Sequence, residues 1–218
     1  MRLTDRLEEI VQCVPHCVRV IDVGTDHALI PIALLDRNIA QYGVGIDKSL
    51  LPLGQARVNR HNAQVTDRLR LVCADGLAIE DLDEQDVVVM AGMGGKTIQT
   101  VLQKASWKGT LILQPNRDLP SLRRWLIGNG WYSDVESILF ERGQYFWTSR
   151  WYRGQRMVSP VDIEFGVQTH IVSPSCFTEW FGKEYNRLKH LPAQAIDRQK
   201  LPMYEEMVNR LSNLKNFG

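Results

Sequence analysis

The 218-residue chain carries 26 Lys and Arg against 25 Asp and Glu, a formal net charge of +1, with 44% hydrophobic and 23% charged residues. That length holds one well-buried domain of about 100–200 residues plus an appendage and excludes two large domains, and the composition is that of an ordinary globular protein. Near-neutral charge gives no global pull toward nucleic acid, so such a partner would need a local basic patch.

The N-terminal stretch MRLTDRLEEI lacks an apolar core of signal-peptide length, and no apolar run approaches the ~20 residues of a membrane span. The expectation is a cytoplasmic protein with no membrane partner. Leu3, Leu7, Ile10, Val11 and Val14 share a helical face, so residues 3 to 12 read as an amphipathic lead-in helix ending before Pro15. Cys13 and Cys17 in CVPHC lack the second ligand pair of a closed zinc site, and with Cys73 and Cys176 they read as reduced thiols; no metal is expected.

Five apolar runs follow: CVRVIDVG, QYGVGID, LRLVCAD, DVVVMAG and TLILQPN, separated by segments of helical length such as LLPLGQARVNRHN and KTIQTVLQKA. Strands alternating with helices mean βαβ units and a parallel sheet, because parallel neighbours need crossover connections. SDVESILFERG and QYFWTSRWYRG then follow one another with no helix between, which predicts an antiparallel hairpin. The expected fold is α/β, a class I methyltransferase-type Rossmann-like sheet, parallel with an antiparallel terminal strand, plus a small C-terminal α-helical domain.

The boundary falls near residue 159, giving residues 1–158 to the sheet domain and 159–218 to a C-terminal helical domain. VSPVDIEFGVQTHIVSPS has no clear period. Beyond it, Phe177, Trp180, Phe181, Tyr185 and Leu188, then Met203, Met207, Leu211 and Leu214, fall at helical spacings around a short LPAQ link, a helical hairpin. It reads either as a cap on the sheet or as a substrate-recruiting arm.

Ligands of doubly wound sheets lie at the carboxyl ends of the strands, so the residues just after each strand carry the chemistry. DVGTDHA after the first strand keeps Gly24 alone of the G-x-G-x-x-G pattern, and Asp26 would repel a pyrophosphate. A phosphate-free cationic nucleoside, S-adenosylmethionine, suits that turn better. Asp47, 23 residues beyond Gly24, is placed to accept from ribose hydroxyls, or to cap the next helix. Asp75 and Gly76 end the third strand, and Gly92, Gly94 and Gly95 after the fourth would let backbone approach a ligand. An Asn-Pro-Pro-aromatic segment, usual for methylation of an exocyclic amine, is replaced by Ala91, Gly92 and Met93, which leaves room for a ring nitrogen as acceptor. After the fifth strand, Gln114 and Asn116 present amides to a base edge, or simply form a Pro-containing turn.

With these blocks in order, DVGTDHALIP, GID with LPLGQA, ADGL, AGMGG and LQPN, the sequence resembles the TrmK family of bacterial tRNA adenine-N1 methyltransferases that modify adenine 22, from about residue 3 to 155. The resemblance implies a cofactor site of Asp22, Gly24, Thr25, Asp26, His27, Asp47, Asp75, Gly76, Ala91, Gly92, Met93 and Gly94. It also implies Asp26 and Asn116 beside the transferred methyl group, with His27 orienting the carboxylate or packing at a helix start. The partner implied is tRNA; the oligomeric state is left open.

Between residues 117 and 156 seven arginines face four acids, with Trp147, Trp151 and Tyr152 interleaved, which reads as an RNA-stacking surface or as an ordinary solvated face over core aromatics. Rival readings are a methyltransferase for another RNA or a small molecule, and a protein that binds the cofactor or RNA without catalysis.

Overall fold

The structure is a computed structural model and describes residues 2–79, 81–105, 107–167 and 170–215. Helix α1 (Asp5–Cys13) precedes β1 (Cys17–Val23), α2 (Leu29–Asp36), β2 (Ala40–Asp47), α3 (Leu50–Asn62), β3 (Leu69–Cys73), β4 (Val87–Ala91), α4 (Gly95–Lys104), β5 (Thr110–Gln114) and α5 (Leu119–Gly128). The hairpin β6 (Trp131–Glu141) and β7 (Gln144–Arg153) follows, then α6 (Pro160–Phe165), α7 (Pro174–Lys189) and α8 (Leu201–Lys215).

The seven strands form one sheet in the order β3-β2-β1-β4-β5-β7-β6. The first five are parallel; β7 runs antiparallel to β5 and to β6. This is the Rossmann-like methyltransferase arrangement that the strand pattern predicts. Side chains of a strand alternate between faces, and here both faces are covered. Val20, Val87, Val89 and Ile112 join a core with α1, α2 and α3, whereas Ile21, Val88, Met90, Leu111 and Leu113 join the opposite core with α4 and α5. Burial on both sides is why β4 reads as an unbroken apolar run, VVVMA, rather than as an alternating one.

A third core joins Ile138 and Trp147 of the hairpin to Phe165, Phe177, Phe181, Leu188, Tyr204 and Met207 of the C-terminal helices. The stretch without a clear period begins with a true helix: α6 is closed by a capping box between Ser159 and Asp162, a signal shorter than any periodicity window. Residues 168 and 169 of that stretch, and the side chain of Leu214, lie outside the described residues. The link between α7 and α8 is longer than LPAQ, because it includes a 3-10 turn, Ile196–Lys200. Among the described residues no helix is long and apolar enough to cross a membrane.

Candidate active site

The strand order aligns the carboxyl ends of β3, β2, β1, β4 and β5 along one rim, and the residues singled out for the cofactor lie in the last residues of these strands or in the turns that follow. The turn after β1 is the most strained. Gly24, Asp26 and Ala28 all have positive φ, +76°, +46° and +57°, so two side-chain-bearing residues occupy a region normally left to glycine. Backbone bonds hold it there: the amides of Gly24 and Thr25 donate to the Ile46 carbonyl at 2.8 and 2.9 Å, and Ala28 to that of Thr25 at 2.7 Å. Gly45 on β2 makes room, since a Cβ there would lie 3.0 Å from the Thr25 side chain.

Inside this turn the Thr25 hydroxyl donates to Asp22 Oδ2 at 2.7 Å. Burial pushes the Asp22 carboxyl up to about 7; the Thr25 bond opposes that shift, and the nearby Asp47 and Asp26 add to it. The Asp26 side chain, by contrast, is 65% exposed, and the His27 ring nitrogen Nε2 stands 3.6 Å from its Oδ2. A cavity of about 110 Å³ opens on this turn, lined by Asp22, Gly24, Thr25, Asp26, His27 and Ala91 together with Arg6 of α1. Beside β1, Asp47 Oδ1 accepts from the Ser49 amide at 2.8 Å, so it does serve the start of α3; its second oxygen meets no donor among the described residues. Asp75, 74% exposed and 3.6 Å from Lys104, borders a second cavity of about 160 Å³ between Gly76 and α4.

The turns after β4 and β5 are zipped together. Gly92 N donates to Gln114 O at 3.1 Å, Asn116 N to Met93 O at 3.0 Å and Gly95 N to Arg117 O at 3.0 Å, while Asn116 Nδ2 donates to Gly92 O at 2.7 Å. The glycines after β4 therefore differ in purpose. Gly92, at φ +75° with open space where a Cβ would go, leaves backbone bare on the rim. Gly94 and Gly95 instead admit the 117–118 turn: a Cβ on Gly95 would lie 3.0 Å from the Asp118 carbonyl and 3.1 Å from that of Arg117. Met93 Cε comes within 3.2 Å of the space beside Gly24 and joins the β1 and β4 turns.

Three expectations change. Gln114 does not face the rim: it is fully buried, donating to Thr148 Oγ1 at 2.8 Å and to Arg6 O at 3.2 Å. Trp147 and Trp151 are core residues rather than a stacking surface. The arginine run is also partly committed. Arg123 is buried against Glu136, Arg150 makes a two-pronged pair with Asp134 at 2.8 and 2.9 Å, and Arg153 lies 4.6 Å over the Trp131 ring. Arg117, Arg124, Arg142, Arg153 and Arg156 are exposed, Arg156 with its Nη1 2.7 Å from His170 Nε2.

Arg6 is the rim residue that sequence reasoning missed. Its guanidinium stands 5.1 Å over the Phe146 ring, and its backbone is tied to Glu141 and to Gln114, 108 residues away. No local spacing on α1 marks it, because its place comes from packing against β5 and the hairpin.

Residues 3–148 match the family described as methyltransferase domain. Among curated relatives, the tRNA (adenine(22)-N(1))-methyltransferase of Bacillus subtilis (strain 168) is 28% identical over 148 residues, 66% of this chain and 62% of that one. The chain spans about three fifths of the length of the curated relatives it matches. A solved structure of a candidate tRNA (m1A22) methyltransferase from Streptococcus pneumoniae in complex with S-adenosyl-L-methionine is 29% identical, with a TM-score of 0.84 over 94% of this chain and 99% of that one. M. capricolum TrmK in complex with S-adenosyl-homocysteine, at 20% identity, shares the fold, with a TM-score of 0.85 over 96% of this chain and 99% of that one.

Proposed function

Because the chain belongs to the methyltransferase-domain family, we propose that it is an S-adenosylmethionine-dependent tRNA methyltransferase acting on N1 of adenine, at adenine 22 by its likeness to the B. subtilis relative. One observation carries the reading: Asp26, Asp47 and Asp75 end three neighbouring strands around a turn with a single glycine. That set of acceptors is wrong for a pyrophosphate and right for a cationic nucleoside without phosphate. A cytoplasmic location goes with a tRNA substrate.

The residues present fit the cofactor. Asp47 would accept from the ribose hydroxyls and Asp75 from the adenine amine. Asp22 would face the amino group, Asp26 would border the transferred methyl group, and the bare backbone of Ala91, Gly92, Met93 and Gly94 would line the methionine arm alongside Gly24, Thr25 and His27. Arg6, on the same cavity as Asp22 and Asp26, is the cation suited to the cofactor's carboxylate. When bound, S-adenosylmethionine supplies the methyl group and leaves as the neutral thioether.

A ring nitrogen offers its own lone pair, so this chain needs no base to prepare N1. Asp26 would accept a hydrogen bond from the exocyclic amine and stabilise the positive charge arriving on the ring, a preorganised effect worth roughly 3–4 kcal/mol at comparable sites. His27, with its Nε2 3.6 Å from Asp26 Oδ2, is the side chain that would orient the carboxylate. Asn116 has its Nδ2 committed to Gly92, which fixes the amide and leaves Oδ1 as the atom for the base edge. Incubation with methyl-labelled cofactor and total tRNA, followed by nuclease digestion, tests the reading. Label in N1-methyladenosine at position 22 is the expected result. Cofactor binding without transfer, or label in small molecules alone, would overturn it.

A further inference from the structure

The rim is electrically divided. Its β3, β2 and β1 ends carry Asp75, Asp47 and Asp26, which would repel an RNA strand, and the β5 end carries Arg117. Arg117 is fixed where it matters, since its carbonyl takes the Gly95 amide at 3.0 Å and its neighbour Asn116 is bound to both Met93 and Gly92. Its side chain is 80% exposed, and the carboxylate nearest to it is that of adjacent Asp118, 3.8 Å from Nε. Other arginines of this chain are spent on structure: Arg19 meets Asp81 and Asp86 at 2.7 Å, and Arg150 meets Asp134 at 2.8 Å.

Gly94 points the same way. Its φ of −73° is open to any residue, so the backbone does not require glycine there. The Arg117 side chain passes close to it: a Cβ on Gly94 would lie 3.0 Å from Arg117 Nε and 3.5 Å from its Cγ. The arginine stem lies across the Gly94 backbone, in the turn after β5 that Asn116 shares.

We propose that Arg117 is a positioning residue that grips a phosphate of the RNA strand next to the acceptor adenine, with Gly94 as the seat that holds its guanidinium over the rim. The proposal rests on the tRNA-methylating reading above. A guanidinium offers a rigid fork of donors matched to phosphate oxygens, and the fixed backbone of its turn sets where that fork starts from. The acidic side of the rim takes the cation and the Arg117 side takes the polyanion.

The test uses the full chain and unmodified tRNA transcript, measuring tRNA binding across a salt series, steady-state methylation and calorimetric affinity for S-adenosylhomocysteine. Arg117→Ala should raise KM for tRNA about tenfold with kcat at saturating tRNA within about twofold, since hydrogen bonds to charged groups are worth that much. It should flatten the plot of log affinity against log salt by about 0.7–0.9, the loss of one phosphate contact, and leave the S-adenosylhomocysteine affinity unchanged. Arg117→Lys should keep the slope and recover part of the affinity, because a point charge replaces the fork.

An unchanged KM and slope in Arg117→Ala would overturn the proposal while leaving the methyltransferase reading intact; so would a loss confined to S-adenosylhomocysteine affinity. If the wild-type chain binds no tRNA, both fall together. If it binds tRNA without methylating it, the slope still decides on Arg117 by itself.

Discussion

Asp22, near the end of β1, and Asp26, in the turn after it, stand four residues apart, and their surroundings give them opposite characters. Asp26 is exposed, and its proposed value lies in charge directed at the acceptor base. Asp26→Asn should therefore lower turnover at least tenfold while S-adenosylhomocysteine affinity stays within a few-fold, measured by single-turnover rates and calorimetry. Asp22 is buried, and its carboxyl is raised from 3.8 to about 7. The sign follows from linkage: the folded chain keeps that proton up to about pH 7, whereas the unfolded chain gives it up near 4. The associated stability is thus fully present below pH ~4 and is lost as pH rises from there through about 7. Asp22→Asn should abolish this component, so its melting temperature should fall less between about pH 5.5 and 8 than that of the wild type. A cationic cofactor amine beside Asp22 would also drive the proton off, so the parent protein should release protons on binding S-adenosylhomocysteine near pH 7, and Asp22→Asn should not.

At the scale of elements, the zipped pair of turns after β4 and β5 sets the geometry of Asn116. Gly95 is its tightest point, because a Cβ there meets two backbone carbonyls that have no rotamer to give way. Gly95→Ala should cost about 1–3 kcal/mol in urea unfolding and reduce turnover more than cofactor affinity, since it pries Asn116 away from Gly92. The sequence showed the AGMGG and LQPN blocks as separate strand ends; that they close on each other through four hydrogen bonds appears only once β4 and β5 are paired. Strands were legible because continuous apolar runs bounded by Gly or Asp need both faces buried. Helix α2 has no such signature: LIPIALLD is apolar on every side because it is buried on every side. Six-residue α6 is too short for any period to show.

At the scale of the whole molecule, the C-terminal helices share their core with the sheet's outer hairpin through Ile138 and Trp147. A buried pair reinforces the junction. Arg123 of α5 is bound to Glu136 of β6, and its other nitrogen donates to the carbonyls of Ile163 and Glu164 in α6 at 3.3 and 2.8 Å. Arg123→Met would leave Glu136 charged and unpaired inside the protein, at a cost of about 3–5 kcal/mol. Denaturation should show that loss as one cooperative transition that lowers the sheet and the helices together; a separate early transition of residues 159–218 would count against a shared core. Strand period, strand-end acids and the lone glycine of the first turn are local properties, so the sequence by itself determined the sheet and the cation-favouring side of its rim. Which polar side chains remain on that rim was decided by tertiary structure alone. Burial depends on contacts between residues far apart in the chain, and it withdrew Gln114 to Thr148, spent Arg123 on Glu136, brought Arg6 to the cavity and left Arg117 exposed beside Asp118.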